Sequence, residues 1–267
     1  MLEVGRGREA TVYVVVKSNA KAKGKKLYAL RVPHDKQTER SGASHTLRLC
    51  ALPANPHVVT ILQADACTGL LWLEYVSAGT LADEIVCIDI SNKRARIVIE
   101  QVLCGVVHLH KHGFMHGDVS PRNVLIDENG DCKLTDYFVD PSAGKCGTPA
   151  YMAPEAVRGD PVQASDVWSV GCLMLAVTAR QPWQEAEVYL EDGSVVDISC
   201  SGALLYHLAC REIALLGPPE FAACADSYKL PFFEVLVAIF TRAEKRVSAS
   251  ELLVQNKSCY DLLCSVL

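Results

Sequence analysis

No two of the twelve cysteines in this 267-residue chain stand in a CxxC spacing, and their density falls well below the roughly 8–10% of a disulfide scaffold. They read as reduced, mostly buried thiols of an intracellular protein, cytoplasmic or nuclear. No apolar run reaches the roughly 18 residues that a membrane helix needs, because the most apolar stretches, 167–179 and 97–109, are interrupted by polar residues. No secretory signal is visible, which with the apolar runs excludes a membrane as partner. Positive charge is also short: Lys and Arg number 26 against 31 Asp and Glu, a balance of 26 − 31 = −5. With a pI near 5.9 there is no overall basic field to hold nucleic acid or anionic lipid, so nucleic-acid partners are excluded as well. Internal repeats and low-complexity segments are absent.

Half of the residues are hydrophobic and 21% are charged, enough for a sizeable core in one large domain or two small ones. Thr11-Val-Tyr-Val-Val-Val16 and Leu27-Tyr-Ala-Leu-Arg-Val32 are β-rich runs around a Lys/Gly-rich turn, and predict a hairpin. The turn, Lys17 to Lys26, carries five lysines and reads as a solvated hairpin tip rather than a nucleic-acid patch. Residues 58–62 and 70–76 read as two further strands. From about Arg94 the apolar spacing becomes helical, through Ile97, Val98, Gln101, Val102, Gly105, Val106 and Leu109. The chain therefore divides into a β-rich front and an α-rich back, with a connector near residues 77–80. Between Glu187 and Ile198, alternating runs flank Glu191-Asp-Gly-Ser194, the pattern of an inserted β-hairpin whose exposed edge could take a partner.

Three constellations carry chemistry. In Gly5-Arg-Gly7-Arg-Glu-Ala10-Thr-Val12 a glycine turn lies between two strands, where missing side chains let backbone N–H groups approach phosphates; a plain tight turn is the alternative. In His116-Gly-Asp118-Val-Ser-Pro-Arg-Asn123 a carboxylate and an amide follow a helix, and Asp118 can accept a hydroxyl proton while Asn123 ligates a metal. Both residue types also form ordinary surface turns. Asp136, after Lys133-Leu-Thr135, can hold Mg²⁺ through hard oxygen contacts. The histidines at 108, 110, 112 and 116 have the look of a metal cluster. Cys146 beside Lys145 predicts only mild thiol activation.

Taken in order with Cys146-Gly-Thr-Pro-Ala-Tyr-Met-Ala-Pro-Glu155 and Ser165-Asp166-Val-Trp-Ser-Val-Gly171, these motifs resemble the signature set of eukaryotic protein kinases, from Val4 to about Leu253. The resemblance implies an α+β, bilobal protein-kinase fold: a β-rich N-lobe with one helix over 1–76, an α-helical C-lobe over 77–267, a hinge after Leu73-Glu74-Tyr75-Val76 and an ATP cleft between the lobes. It places Gly5, Gly7, Val12, Ala29, Arg31, Glu74, Val76 and Leu125 around the nucleotide. Asp118 is implied as the base, and Asn123 and Asp136 as the metal ligands, so ATP and Mg are the cofactors if the site is active. The resemblance further implies a buried Glu155 to Arg246 ion pair and an Asp166 that anchors the catalytic loop. Two of the histidines fall at structural positions of the family, which sets a zinc cluster aside. His-Gly-Asp-Val, Gln181-Pro-Trp and Lys245-Arg-Val-Ser-Ala-Ser-Glu-Leu252 are most similar to mitogen-activated kinase kinase kinases, among them the NF-κB-inducing kinase.

The departures from that pattern weigh on phosphoryl transfer, which depends on positioning and charge. Where the family has its third-strand lysine, this chain has Tyr28-Ala-Leu-Arg31, and a planar guanidinium is not a conservative substitute at a phosphate contact. The region of the family's helix glutamate reads His45-Thr-Leu-Arg-Leu-Cys-Ala-Leu52, with Glu39 about two turns too early, so the lysine–glutamate pair has no counterpart. Tyr137-Phe138 follows Asp136 where the family has Phe-Gly, which predicts a stiffer segment. Gly117 replaces an arginine that reads activation-loop phosphate, and Ser120 a lysine that neutralises the transferring group.

An unbraced guanidinium in the cleft predicts a contact between Arg31 and Asp136 that competes with Mg²⁺. The expected function is a pseudokinase, a regulatory or interaction scaffold with weak or no nucleotide binding and with proteins as partners. The alternative is an active Ser/Thr kinase. Because only Met1-Leu-Glu-Val4 precede the glycine turn, the chain is expected to be one domain of a longer protein, whose other segments would also be partners.

Overall fold

The computed structural model describes residues 1–7, 10–18, 25–34, 48–65, 67–87, 90–137, 147–178, 186–189, 195–198, 239 and 243–254. Strands β1 (Leu2–Arg6), β2 (Ala10–Ser18), β3 (Lys25–Pro33), β4 (Ile61–Asp65) and β5 (Leu70–Glu74) form one sheet in the order β1-β2-β3-β5-β4. The pairing between β2 and β3 is the predicted hairpin. Its register sets Val12 against Arg31 and Val14 against Ala29, and β5 continues the same face with Leu73 beside Ala29 and Leu71 beside Arg31. Alternation thus directs Val12, Ala29, Arg31, Leu71 and Leu73 to one side of the sheet.

The strand expected at 58–62 begins later. Val58 and Val59 are 3% and 1% exposed and belong to a crossing. Val59 N–H donates to Leu134 O at 2.8 Å, and Leu134 N–H to His57 O at 2.9 Å. Burial on both faces explains the misreading, since an apolar pair reads the same in a strand and in a buried crossing.

Helix α1 (Leu81–Cys87) follows the connector and leads to α2 (Asn92–Lys111). Ser91 caps α2, its Oγ accepting from Arg94 N–H at 3.2 Å, as an N-cap serine should. The buried stripe of α2 runs through Ala95, Val98, Ile99, Val102, Leu103, Val106 and Leu109, whereas Ile97 is 37% exposed; the predicted period holds at Val98, Val102, Val106 and Leu109, and Ile97 falls off the stripe. At Gly105 a Cβ would come within 2.7 Å of His57 O and 2.8 Å of Leu134 Cδ1. Glycine is required there because the 57–59 crossing and strand β7 (Cys132–Leu134) press directly on the helix. Strand β6 (Val124–Ile126) pairs with β7 and also zips onto the connector, Ile126 N–H donating to Gly79 O and Ala78 N–H to Ile126 O.

Helix α3 (Pro154–Arg158) ends on Gly159 in the left-handed region. Helix α4 (Gln163–Thr178) has buried residues on every side, as a core helix must. Strands β8 (Ala186–Tyr189) and β9 (Val195–Ile198) form the hairpin expected around the Asp-Gly turn. One apolar cluster joins α1, α2, α4 and the β6–β7 pair. A second lies under the five-stranded sheet and includes Ala29, Leu49, Leu71, Leu73, Phe114 and Tyr137. The site lies where these two clusters meet.

Candidate active site

The loop after α2 is built around one buried carboxylate. Asp166, in the first turn of α4 and 1% exposed, accepts the backbone N–H groups of His116 and Gly117, both at 2.8 Å. His110 Nε2 also lies 2.8 Å from Asp166 Oδ2. An ionised carboxylate bonded to several N–H donors is a strong anchor. This is the anchoring expected of Asp166, and it gives His110 and His116 structural work. The rings of His108 and His112 instead lie 4.6 Å apart and tilted to each other, and no cluster of three or more His, Cys, Asp or Glu side chains placed to hold a metal ion occurs among the described residues.

Burial pushes the His116 imidazole below its ordinary pKa, against the opposing charges of Asp166, Asp118 and Asp136. A neutral ring can accept, and its Nδ1 takes the N–H of Asp118 at 3.2 Å. Pro121 then starts a short 3-10 turn, Pro121–Asn123. Asn123 Nδ2 donates to Asp118 O at 2.9 Å and to Asp118 Oδ2 at 2.8 Å. The second oxygen, Oδ1, accepts the Thr148 N–H at 2.7 Å. Asp118 is therefore held on both carboxylate oxygens, one from its own loop and one from the 147–151 segment. Thr148 Oγ1 also reaches Ser120 Oγ at 3.4 Å.

Asp136 is placed through Asn123 as well, because Thr135 N–H donates to Asn123 O at 2.9 Å. Its φ of 60° is the one left-handed non-glycine conformation among the described residues, a sparsely populated region for such a residue. The Asp136 side chain is half exposed, and its Oδ1 lies 3.9 Å from Nε of the buried Arg31. The contact predicted from the two substitutions is thus formed, as an ion pair at the outer limit of the distance range.

Tyr137 does what the sequence did not reveal. It is 2% exposed, its hydroxyl donates to Val59 O at 2.6 Å, and its ring lies 6.4 Å from that of His116. Burial, with smaller contributions from Glu74 and Cys50, pushes its phenol well up, so it stays protonated and remains a donor. The site's Asp136 is thereby followed at once by a residue pinned to the 57–59 crossing. Phe138, Arg8, Glu9 and residues 35–47, with Glu39, lie outside the described residues.

Of the residues expected around the nucleotide, Val12, Ala29, Val76 and Leu125 gather in one cluster with Leu73. Arg31 stands at its inner edge, opposite Val12 and Leu71. The Glu74 carboxylate is engaged elsewhere, accepting Lys133 Nζ at 3.1 Å and Thr60 N–H at 2.7 Å; only the main chain of Glu74 can serve a ligand. Around Gly5 a Cβ would meet nothing within 4 Å, and around Gly7 only Ala10 O at 3.7 Å. Packing does not require glycine at either position. Arg122, exposed in the Pro121–Asn123 turn, is a cation that the loss of lysine at Ser120 had hidden.

Behind the site, Arg246 Nη1 lies 2.6 Å from Glu155 Oε1 and also donates to Ala164 O at 2.7 Å. Ser165 Oγ donates to the same carboxylate at 2.7 Å. Burial acts to raise the Glu155 pKa, but the hydrogen bond and charge of Arg246 and the Ser165 hydroxyl outweigh it and hold the carboxyl below its ordinary range. The expected buried pair is present.

A sheet of five strands over a helical body, with Asp118, Asn123 and Asp136 converging between them, is the architecture expected of the protein-kinase fold. The chain belongs to the protein kinase family: the family's protein kinase domain matches residues 1–253. It is 39% identical to mitogen-activated protein kinase kinase kinase 18 of Arabidopsis thaliana over 134 residues, which is 46% of this chain and 40% of that protein. Mitogen-activated protein kinase kinase kinase 17 of the same plant is 30% identical over 201 residues, 69% of this chain and 52% of its own length. A probable serine/threonine-protein kinase, MARK-C of Dictyostelium discoideum, is 35% identical over 183 residues, 60% of this chain and 23% of its own. The chain thus spans about half or less of the length of these relatives. Among the described residues no helix is long and apolar enough to cross a membrane.

Proposed function

We propose that this domain binds ATP with Mg²⁺ and transfers the γ-phosphoryl group to a serine or threonine hydroxyl of a protein. The observation that carries this reading is the Asp118 carboxylate, gripped by Asn123 Nδ2 at 2.8 Å and by Thr148 N–H at 2.7 Å. A base fixed on both oxygens is oriented before a substrate arrives, which is what hydroxyl activation needs. Asn123 uses its amide nitrogen on Asp118, leaving its amide oxygen as the atom that can face a cation. Together with the half-exposed Asp136 carboxylate this is a hard-oxygen pair suited to Mg²⁺. The Asn123 amide oxygen and the Asp136 carboxylate would hold the metal, which would supply neutralisation of the charge that develops in transfer. Val12, Ala29, Val76 and Leu125 would cover the adenine, and the unneeded side-chain space at Gly5 and Gly7 would admit phosphates to the backbone. Arg31, aided by the exposed Arg122, would supply the positive charge, with turnover slowed by the change from a lysine. The family membership and the serine/threonine kinase relatives support the same reading.

A second reading, a scaffold without transfer, is favoured by the 3.9 Å contact of Arg31 with Asp136, which sets a fixed cation against a metal ligand. Melting the protein with ATP and Mg²⁺ or Mn²⁺ separates the two. Ligand stabilisation of about 2.7 kcal/mol is expected at a hundredfold excess over Kd, together with radiolabel transfer that disappears in Asp118→Asn. No thermal shift and no transfer would leave the scaffold.

A further inference from the structure

One face of the β2–β3 ladder is both cationic and aromatic. Alternation puts Tyr13, Val15, Lys17, Lys26 and Tyr28 on the side opposite Val12, Ala29 and Arg31. Lys17 stands directly across from Lys26, with Val15 and Tyr28 as the next pair, and both lysines are exposed. Lys17 Nζ lies 3.8 Å from the centroid of the Trp72 ring and 5.5 Å from that of Tyr28. Lys26 Nζ lies 5.6 Å from Tyr28, and Tyr28 meets Trp72 edge to face at 6.3 Å. Two ammonium groups therefore gather about one tyrosine ring, held by cation–π attraction.

Among the described residues neither ammonium meets a carboxylate. The acids that the register sets on this face are engaged elsewhere. Glu3, opposite Tyr13, pairs with Arg6 at 3.1 Å, and Glu74, opposite Tyr28, pairs with Lys133 at 3.1 Å. From Ala10 to His34 the sequence contains no Asp or Glu, in a chain of net charge −5. Like charges directly opposite across a ladder are destabilising, so the hairpin carries a local repulsion that an anion would relieve. Ordering a long side chain is one of the costs of binding, and contact with Trp72 and Tyr28 meets part of it before an anion arrives.

We infer that this face docks an acidic segment of a partner protein, with neighbouring Asp or Glu side chains set against Lys17 and Lys26. The half-buried rings of Trp72 and Tyr28 form the apolar floor beside the charges, and aromatic anchors of this kind are enriched in protein interfaces. Nucleic acid fits less well. Each strand presents a phosphate about every 3.4 Å and calls for a long basic track, whereas this cationic face is short and belongs to an acidic chain. The docking face is the reverse of the one that carries Ala29 and Arg31, so it is separate from the candidate active site.

Fluorescence anisotropy of a labelled peptide of alternating Glu and Ala, which offers no hydroxyl for transfer, tests this on the whole chain. Saturable binding is expected at low salt, weakening as the screening length falls from about 10 Å at 0.1 M to about 3 Å at 1 M. The same peptide with Gln for Glu should not bind. Lys17→Glu with Lys26→Glu should weaken binding about tenfold or more. Lys93→Glu with Lys111→Glu, an equal change of charge at two exposed lysines of α2, should leave it near the wild-type value. Circular dichroism identifies variants that fold. Should the first pair fail to fold, zero-length carbodiimide coupling of the peptide to the wild-type protein reads the same contact, with Lys17 or Lys26 as the joined residue. No saturable binding, an equal loss in both pairs of variants, coupling only at other lysines, or tighter binding of a single-stranded oligonucleotide of the same charge would overturn the proposal.

Discussion

The guanidinium of Arg31 and the carboxylate of Asp136 lie 3.9 Å apart, the first buried and the second half exposed. The pair joins the middle strand of the sheet to the residue after β7, so a charge of the sheet meets a candidate metal ligand of the helical half. At that separation the attraction is about 1 kcal/mol in a water-like dielectric, the appropriate limit for a half-exposed partner. Arg31→Met should therefore raise Mn²⁺ affinity in the absence of nucleotide by roughly five-fold, as followed by the paramagnetic resonance of free Mn²⁺. Unchanged or weaker Mn²⁺ binding would show that the guanidinium does not compete for Asp136.

Asp118→Asn removes the proton acceptor while leaving a side chain of the same shape between Asn123 and Thr148. Transfer to a peptide hydroxyl should fall by about 10²–10⁴-fold, the usual weight of general-base catalysis. The stabilisation by ATP and Mg²⁺ should persist in a melting experiment. Loss of both together would instead make Asp118 part of nucleotide binding.

Tyr137→Phe deletes the 2.6 Å bond to Val59 O and leaves a buried carbonyl without this donor, which costs about 1–3 kcal/mol. The pH dependence has a definite sign. Burial raises the phenol pKa in the folded state, so the stability it contributes is complete below the unfolded value of about 10 and is lost as pH rises above it. Denaturant titrations of wild type and Tyr137→Phe between neutral and strongly alkaline pH should converge at the alkaline end.

Glu155 behaves in the opposite sense. Its folded pKa is depressed, so its contribution is present above the unfolded carboxyl value of about 4.3 and is lost as pH falls through the lower, folded one. Arg246→Ala, which leaves the carboxylate without its partner, should cost about 3–5 kcal/mol at neutral pH. The deficit relative to wild type should shrink in acid, as read from urea midpoints; a deficit constant with pH would mean that Arg246 acts not through Glu155 but through its bonds to Ala164 O and Ile239 O and its place 5.1 Å over the Trp168 ring.

Gly105→Ala places a methyl 2.7 Å from His57 O and 2.8 Å from Leu134 Cδ1. Backbone must move, and overpacking of this kind costs about 1–3 kcal/mol. The crossing at 57–59 carries the acceptor of Tyr137, so faster amide exchange at Val59 and Leu134 should accompany the lower melting temperature.

Much of the fold was legible in local pattern. The β2–β3 hairpin follows from two β-rich runs around a turn, α2 from its apolar period, and the β8–β9 hairpin from alternation on both sides of Asp192-Gly193. The misreadings have a common cause. Val58 and Val59 look like strand because two-sided burial and strand membership select the same residues, and Ile97 looks like core because one exposed isoleucine fits a helical period as well as a buried one. In the site, Asp118, Asn123 and Asp136 were readable from motif order. Thr148 as the second support of Asp118, Tyr137 as a pin and the diversion of Glu74 to Lys133 were not.

Sequence by itself determined what neighbours along the chain can settle: the strand and helix periods, the turn chemistry, the order of the kinase motifs and the charge inventory, all of which act over a few residues. Only the tertiary structure decided that Asp166 collects the loop 49 and 50 positions before it, that Tyr137 reaches an acceptor 78 positions away, and that Arg31 faces Asp136. Those contacts depend on how a sheet and a helical body close on each other. Burial strengthens such polar contacts and makes leaving them unmade costly, and no local propensity encodes which distant partner will be brought near.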